Sequence, residues 1–96
     1  MLDYRAHTFL AVVRAGSFTR AAEELHVTQP AVSQHIRQLE AHYGCTLFSK
    51  TGRGVEPTDA GRLLYQALDA ERNDEARLRA ELDSLRGEKD ARPPLR

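Results

Sequence analysis

The sequence has no tryptophan and one cysteine, and its 14 basic residues are cancelled by 14 acidic ones. With Cys45 as its single thiol, the chain cannot form an internal disulfide, which suits a reducing cytosol. No apolar run approaches the ~18 residues of a membrane span, and the N-terminus lacks a signal-peptide pattern, so a soluble, cytoplasmic protein is expected. The missing charge excess removes the usual compositional pointer to nucleic acid, a strongly basic domain, without excluding a polyanion partner. No internal repeat occurs. No nucleophile–base pair stands out, so neither an enzyme nor a cofactor is expected. His35, His42 and Cys45 resemble an incomplete metal cluster, but zinc sites show tighter paired spacing, and no metal is expected.

Ninety-six residues suit one domain with an appendage and a modest core. Leu2, Ala6, Phe9, Leu10 and Val13 recur at helical spacing over residues 2–15, and Gly16 ends that run. Ser17 or Thr19 caps a short second helix, roughly TRAAEELH, with Ala21, Ala22 and Leu25 inward. A third helix follows in VTQPAVSQHIRQLE, residues 27–40, with Thr28 as its cap, Pro30 in its first turn and Gly44 as its stop. Residues 45–58, CTLFSKTGRGVEPT, read as two short strands around a Gly52-Arg53-Gly54 tip, with Pro57 at an edge or strand end. Thr58 and Asp59 start a last helix that runs to about Arg86, before Gly87. Phe9, Phe18, Tyr43 and Phe48 are core candidates, and Cys45 is most simply a small buried residue.

The third helix has two faces. Val32, Ile36 and Leu39 form an apolar stripe, while Gln29, Ser33 and Arg37 align on an adjoining polar face, with Pro30 and Gln34 just beyond. Ala22, Leu25, Val27, Val32 and Ile36 follow the interior pattern that holds two helices at a steep angle, a helix-turn-helix. His26 stands where many such turns carry glycine, and histidine is among the residues enriched at positive φ. A helix held this way presents its N-terminal half to a DNA major groove. Glutamine can bond adenine bidentately, serine several bases, and arginine guanine or phosphate. Thr28 and the helix's first amides suit a phosphate. Lys50 adds positive charge, and Arg53, at the glycine tip, suits a narrow minor groove. The bland alternative is an ordinary solvated face with unremarkable surface charges.

In the last helix, positions 64, 68, 71, 75, 78, 82 and 85 form a seam carrying Leu64, Leu68, Leu78, Leu82 and Leu85. A parallel pair would set Glu71 and Glu75 against their own copies, so an antiparallel homodimer is expected. The alternative for Leu64 and Leu68 is packing on their own domain. Two function classes follow: a sequence-specific DNA-binding regulator, or a protein-interaction module that kept only its dimer helix.

FLAVVRAGSFTRAAEELHVTQPAVSQHIRQLE and LFSKTGRGVEPTDAG resemble, in order and spacing, the N-terminal domain of LysR-type transcriptional regulators. The resemblance covers nearly all of residues 1–87. It implies a mainly α fold: a winged helix-turn-helix with a three-helix core and a small β-hairpin wing (residues 1–58), then a long dimerisation linker helix (residues 59–87). Residues 88–96 would be a hinge to a ligand-sensing domain that is absent here, and a small-molecule effector would act only through that domain. A truncated chain is therefore expected, with a naturally short protein as the alternative. The implied partner is a partly palindromic, AT-rich double-stranded operator bound by a dimer at the bacterial nucleoid. Carried over by position, Gln29, Pro30, Ser33 and Gln34 would face bases, Thr28 and Lys50 phosphates, and Arg53 the minor groove; Arg37 joins the phosphate contacts from its place on the polar helix face. Gln34 departs from the arginine common at that position, which leaves its preferred base open.

Overall fold

Asp3 sets the start of the first helix. Its carboxylate accepts from the N–H groups of Arg5 and Ala6, at 3.0 and 3.1 Å, and pairs with the Arg5 guanidinium. The Ala6 amide, with Arg5 added, holds the Asp3 carboxyl below its ordinary range. This cap was not legible from the apolar spacing, which placed the helix start at Leu2, outside the described residues. The computed structural model describes residues 3–89. It contains α1 (Tyr4–Ala15), α2 (Phe18–Leu25), α3 (Gln29–Tyr43), β1 (Phe48–Lys50), β2 (Val55–Pro57) and α4 (Asp59–Lys89). Residues 90–96 of the expected hinge also lie outside the described residues.

Helix α1 is the centre of the core. It buries Ala6, Phe9, Leu10, Ala11 and Val12, more of its surface than one stripe supplies, because α2, α3, α4 and the hairpin all pack around it. Thr8 is buried too. Its hydroxyl donates to the Tyr4 carbonyl at 2.9 Å, leaving its oxygen 2.8 Å from His35 Nδ1 on α3. Ala21 and Ala22 bring α2 close, while Val32, Ile36 and Leu39 cover the core from α3.

Strands β1 and β2 pair antiparallel, Phe48 opposite Pro57 and Lys50 opposite Val55, so Pro57 falls at a strand end as expected. Phe48 anchors the hairpin, its ring 5.3 Å from that of Phe9 and 5.8 Å from that of Phe18. On the far side, the Val55 N–H donates to the Gly16 carbonyl at 3.0 Å. A Cβ at Gly54 would sit 2.2 Å from that same oxygen, so only glycine permits the approach.

Thr58 caps α4, accepting from the Gly61 N–H at 3.1 Å while its own hydroxyl donates to the Thr46 carbonyl. The helix passes through Gly87 to Lys89 rather than ending near Arg86. Tyr43 and Cys45 are exposed rather than buried. Both lie where α3 ends in left-handed Gly44 and the chain reverses, and Leu47 takes the buried place instead. No helix among the described residues is long and apolar enough to cross a membrane.

The two α4 glycines separate close packing from open helix. A Cβ at Gly61 would meet the Leu47 carbonyl at 2.3 Å, whereas one at Gly87 meets nothing within 4 Å. Gly61→Ala is expected to destabilise the chain by about 1–3 kcal/mol. Gly87→Ala is expected to raise helicity and stabilise by up to about 1 kcal/mol. Chemical unfolding followed by circular dichroism checks both, and a loss of helicity in Gly87→Ala would restore a helix stop at that residue.

Candidate nucleic-acid interface

The angle between α2 and α3 is made by one residue with positive φ. His26 sits at φ 59°, ψ 42°, and is the only non-glycine residue there among those described. Its N–H donates to the Glu23 carbonyl and that of Val27 to the Ala22 carbonyl, the double closure of a Schellman motif. Val27, expected in the interior, is 41% exposed, because the reversal at His26 turns it away from α1.

Thr28 caps α3, its hydroxyl oxygen accepting from the Ala31 N–H at 3.2 Å, and Pro30 stands in the first turn where its missing N–H is harmless. The hydroxyl proton of Thr28 stays available to an acceptor outside the chain. Gln29, Pro30, Gln34 and Arg37 are exposed and Ser33 is half-buried. The Gln29 amide donates to the Ser33 hydroxyl at 3.3 Å, linking two side chains of the row.

The hairpin stands beside this face. Ser33, Arg37 and Lys50 line one part of the intervening cleft, with Phe18, Ile36, Glu40 and Val55. Gln29, Ser33 and Lys50 line the adjoining part, where Ser17 and Thr19 at the start of α2 join them. The fold thus brings Gln29, Ser33, Arg37 and Lys50 together, whereas Gln34 and Arg53 line neither part of that cleft. Arg53 is exposed at the hairpin tip, where the Thr51 hydroxyl oxygen accepts from the N–H groups of Arg53 and Gly54. The sequence pattern did not single out Thr51, and offered Thr19 only as a helix cap. A threonine two residues before Arg53 is a turn signal that was available.

Charge pairing separates the two ends of the molecule. Arg62, Arg72, Arg77, Arg79 and Arg86 on α4 each pair with a carboxylate three or four residues away. Among the described residues, Arg37, Lys50 and Arg53 have no such partner. The neutral total therefore conceals free positive charge on the cleft side. His35 is engaged by Thr8 and meets Tyr4 edge-on at 4.9 Å, so its ring serves the α1–α3 contact.

The leucine seam divides in two. Leu68 is 7% exposed and Leu64 packs partly against the core, so both are at least partly occupied by their own domain. The first turns of α4 lie over α1, which is why the seam's start is partly taken up internally. Leu78, Leu82 and Leu85 are 55%, 52% and 54% exposed.

Residues 5–62 match the family described as "Bacterial regulatory helix-turn-helix protein, lysR family". The RuBisCO operon transcriptional regulator of Allochromatium vinosum is 46% identical over 79 residues, covering 82% of this chain and 26% of that protein. The nitrogen assimilation regulatory protein nac of Escherichia coli is 49% identical over 61 residues, covering 64% of this chain and 20% of its own length. The chain thus spans about a quarter or less of these relatives, which are regulators rather than enzymes. A LysR-family regulator from Eggerthella lenta superposes with a TM-score of 0.67 at 56% identity, covering 72% of this chain and 99% of that one. The DNA-binding domain of BenM, solved with catB site 1 DNA, superposes with a TM-score of 0.76 at 29% identity, covering 88% and 96%. The fold is that of these winged-helix domains, with a long C-terminal helix.

A non-glycine residue in the left-handed region costs roughly 1–2 kcal/mol, against about 0.5–1 kcal/mol for the extra freedom of glycine. The exposed His26 side chain has little packing to lose. His26→Gly is therefore expected to raise the unfolding midpoint slightly, and His26→Val to lower it. A destabilised glycine variant in thermal unfolding would show that the His26 side chain itself supports the turn.

Proposed function

The chain belongs to the LysR family of bacterial regulatory helix-turn-helix proteins, and from that premise we propose that residues 1–58 read double-stranded operator DNA, with α4 joining two copies. The observation that carries this reading is the cleft between α3 and the hairpin, where polar side chains meet unpaired positive charge. In this reading α3 enters the major groove. Gln29, Pro30, Ser33 and Gln34 face base edges, since a sparsely charged polar row suits hydrogen-bonded readout. Thr28, Arg37 and Lys50 meet phosphates, and the hairpin places Arg53 in an AT-rich minor groove, where negative potential is enhanced. Related DNA-binding domains, those of BenM and CbnR, have been solved with DNA, which supports DNA as the partner.

Dimerisation rests on Leu78, Leu82 and Leu85, because Leu64 and Leu68 are at least partly occupied at home. An antiparallel crossing centred near Leu82 sets Leu78 of one copy against Leu85 of the other. It also sets the two DNA-binding domains at opposite ends of the pair and relates them by a two-fold axis, which matches the symmetry of a partly palindromic site. A small-molecule effector, in this reading, acts through a C-terminal domain, because the matched relatives extend well beyond the aligned segment. The site of action is the nucleoid in the bacterial cytoplasm.

Selection of bound fragments from a random duplex library at near-physiological salt tests the reading. One two-fold-symmetric motif is the expected result, and fragments without a common motif would overturn it. On the selected duplex, Gln29→Ala should cost about 1–3 kcal/mol at one base step and leave the salt dependence unchanged. Lys50→Ala should weaken all sequences alike and flatten the slope of log affinity against log salt by about one unit per protomer.

Disulfide cross-linking in a Cys45→Ser background tests the helix orientation. Leu82→Cys should link to its own copy, being near the crossing point, whereas Leu78→Cys should not. Efficient linkage of both variants would establish a parallel pair instead.

A further inference from the structure

Glu40 lies in the last turns of α3, beyond the polar row, and its carboxylate turns to the hairpin rather than to a basic side chain. Its Oε2 accepts from the Leu47 N–H at 2.8 Å, while its backbone carbonyl accepts from the N–H groups of Gly44 and Cys45. One residue therefore closes the whole connection between the helix and the first strand. The Leu47 side chain is 1% exposed, so its amide has poor access to water. Left without an acceptor, such an amide carries the full cost of its desolvation.

The next link is Thr58. Its N–H donates to the Leu47 carbonyl at 3.0 Å and its hydroxyl to the Thr46 carbonyl at 2.6 Å, tying the first strand's root to the start of α4. Glu40 thus anchors a chain of bonds from α3 through Leu47 to the second strand's end. The carboxylate works against polyanion binding where it stands, since Glu40 lines the same cleft as Ser33, Arg37 and Lys50. A negative charge there repels phosphate, so its use is internal. An ionised acceptor makes a stronger hydrogen bond to an amide than a neutral one does.

We propose that Glu40 is the positioning residue that holds the hairpin in register with α3, so that Arg53 and the Gln29–Ser33–Arg37 row act on one DNA segment. This rests on the DNA-binding reading given above. The residue touches no base in that reading and acts through Leu47.

The test combines a double-mutant cycle with amide exchange on the full chain, using a duplex recovered by the library selection. Arg53→Ala should weaken binding about tenfold in the parent. It should cost about twofold or less in Glu40→Ala, where the hairpin keeps its Phe48 and Val55 contacts but loses its register with α3, so the arginine is no longer aimed. Glu40→Asp retains the charge but is one methylene short of the amide, and should behave like Glu40→Ala while disturbing the core less. Glu40→Gln keeps an acceptor oxygen and should restore the parent's tenfold effect. Without DNA, the amides of Leu47, Thr51 and Val55 should exchange about tenfold faster in Glu40→Asp than in the parent, with α1 amides unchanged. An Arg53→Ala effect of equal size in every background, with hairpin amides unmoved, would overturn the proposal. Should Arg53→Ala be silent in the parent, the minor-groove reading fails, and exchange at Leu47 decides the role of Glu40 by itself.

Discussion

The reversal at His26 is the constraint on which the polar face of α3 depends. Two backbone bonds close the turn, to Ala22 and Glu23, and they fix where α3 sets out. Ala21 and Ala22, being small, then allow α2 and α3 to approach over α1. With Val32, Ile36 and Leu39 drawn into the core, Gln29 and Arg37 have nowhere to go but outward. A residue unable to adopt positive φ at position 26 would therefore disturb side chains it never touches.

Electrostatics in this molecule is a matter of distribution. Net charge is zero, and an argument from composition alone stops there. Along α4 the arginines have neighbours of opposite sign one turn away, and such exposed pairs add little stability. With eight acidic residues against six basic ones, the helix offers a polyanion no excess of positive charge. Among the described residues, Arg37, Lys50 and Arg53 make no ion pair, and the nearby Glu40 carboxylate is committed to a backbone amide.

Much of the fold was legible in the sequence because local signals agreed with one another. Thr28, Pro30 and Gly44 bracket α3, and each lies where its backbone preference predicts. The grouping of Gln29, Ser33 and Arg37 with Lys50 was legible only in part, since periodicity aligns residues of one helix and says nothing of a strand thirteen or more residues away. The misjudged residues share a physical cause. Tyr43, Cys45 and Val27 flank left-handed turns, where helical periodicity no longer tells which way a side chain points. Leu64 and Leu68 read as seam because a heptad pattern cannot distinguish a helix's own domain from a second copy. Asp3 as a cap is invisible to apolar spacing, which marks a helix's buried face and not its first residue.

Helix α4 begins at Thr58, whose hydroxyl is bonded to the root of the hairpin, and continues unbroken for 31 residues. At 1.5 Å per residue this is a rod of roughly 46 Å, with no proline in its length to absorb bending. Mechanically it is a lever with its short arm seated on the core through Leu68 and its long arm carrying the exposed leucines. With Leu68 as the fulcrum the arms are roughly 32 and 15 Å, so a tilt of about 5° moves the far end by about 3 Å and Thr58 by about 1 Å. Movement at one end thereby reaches the other at roughly half its size and in the opposite direction.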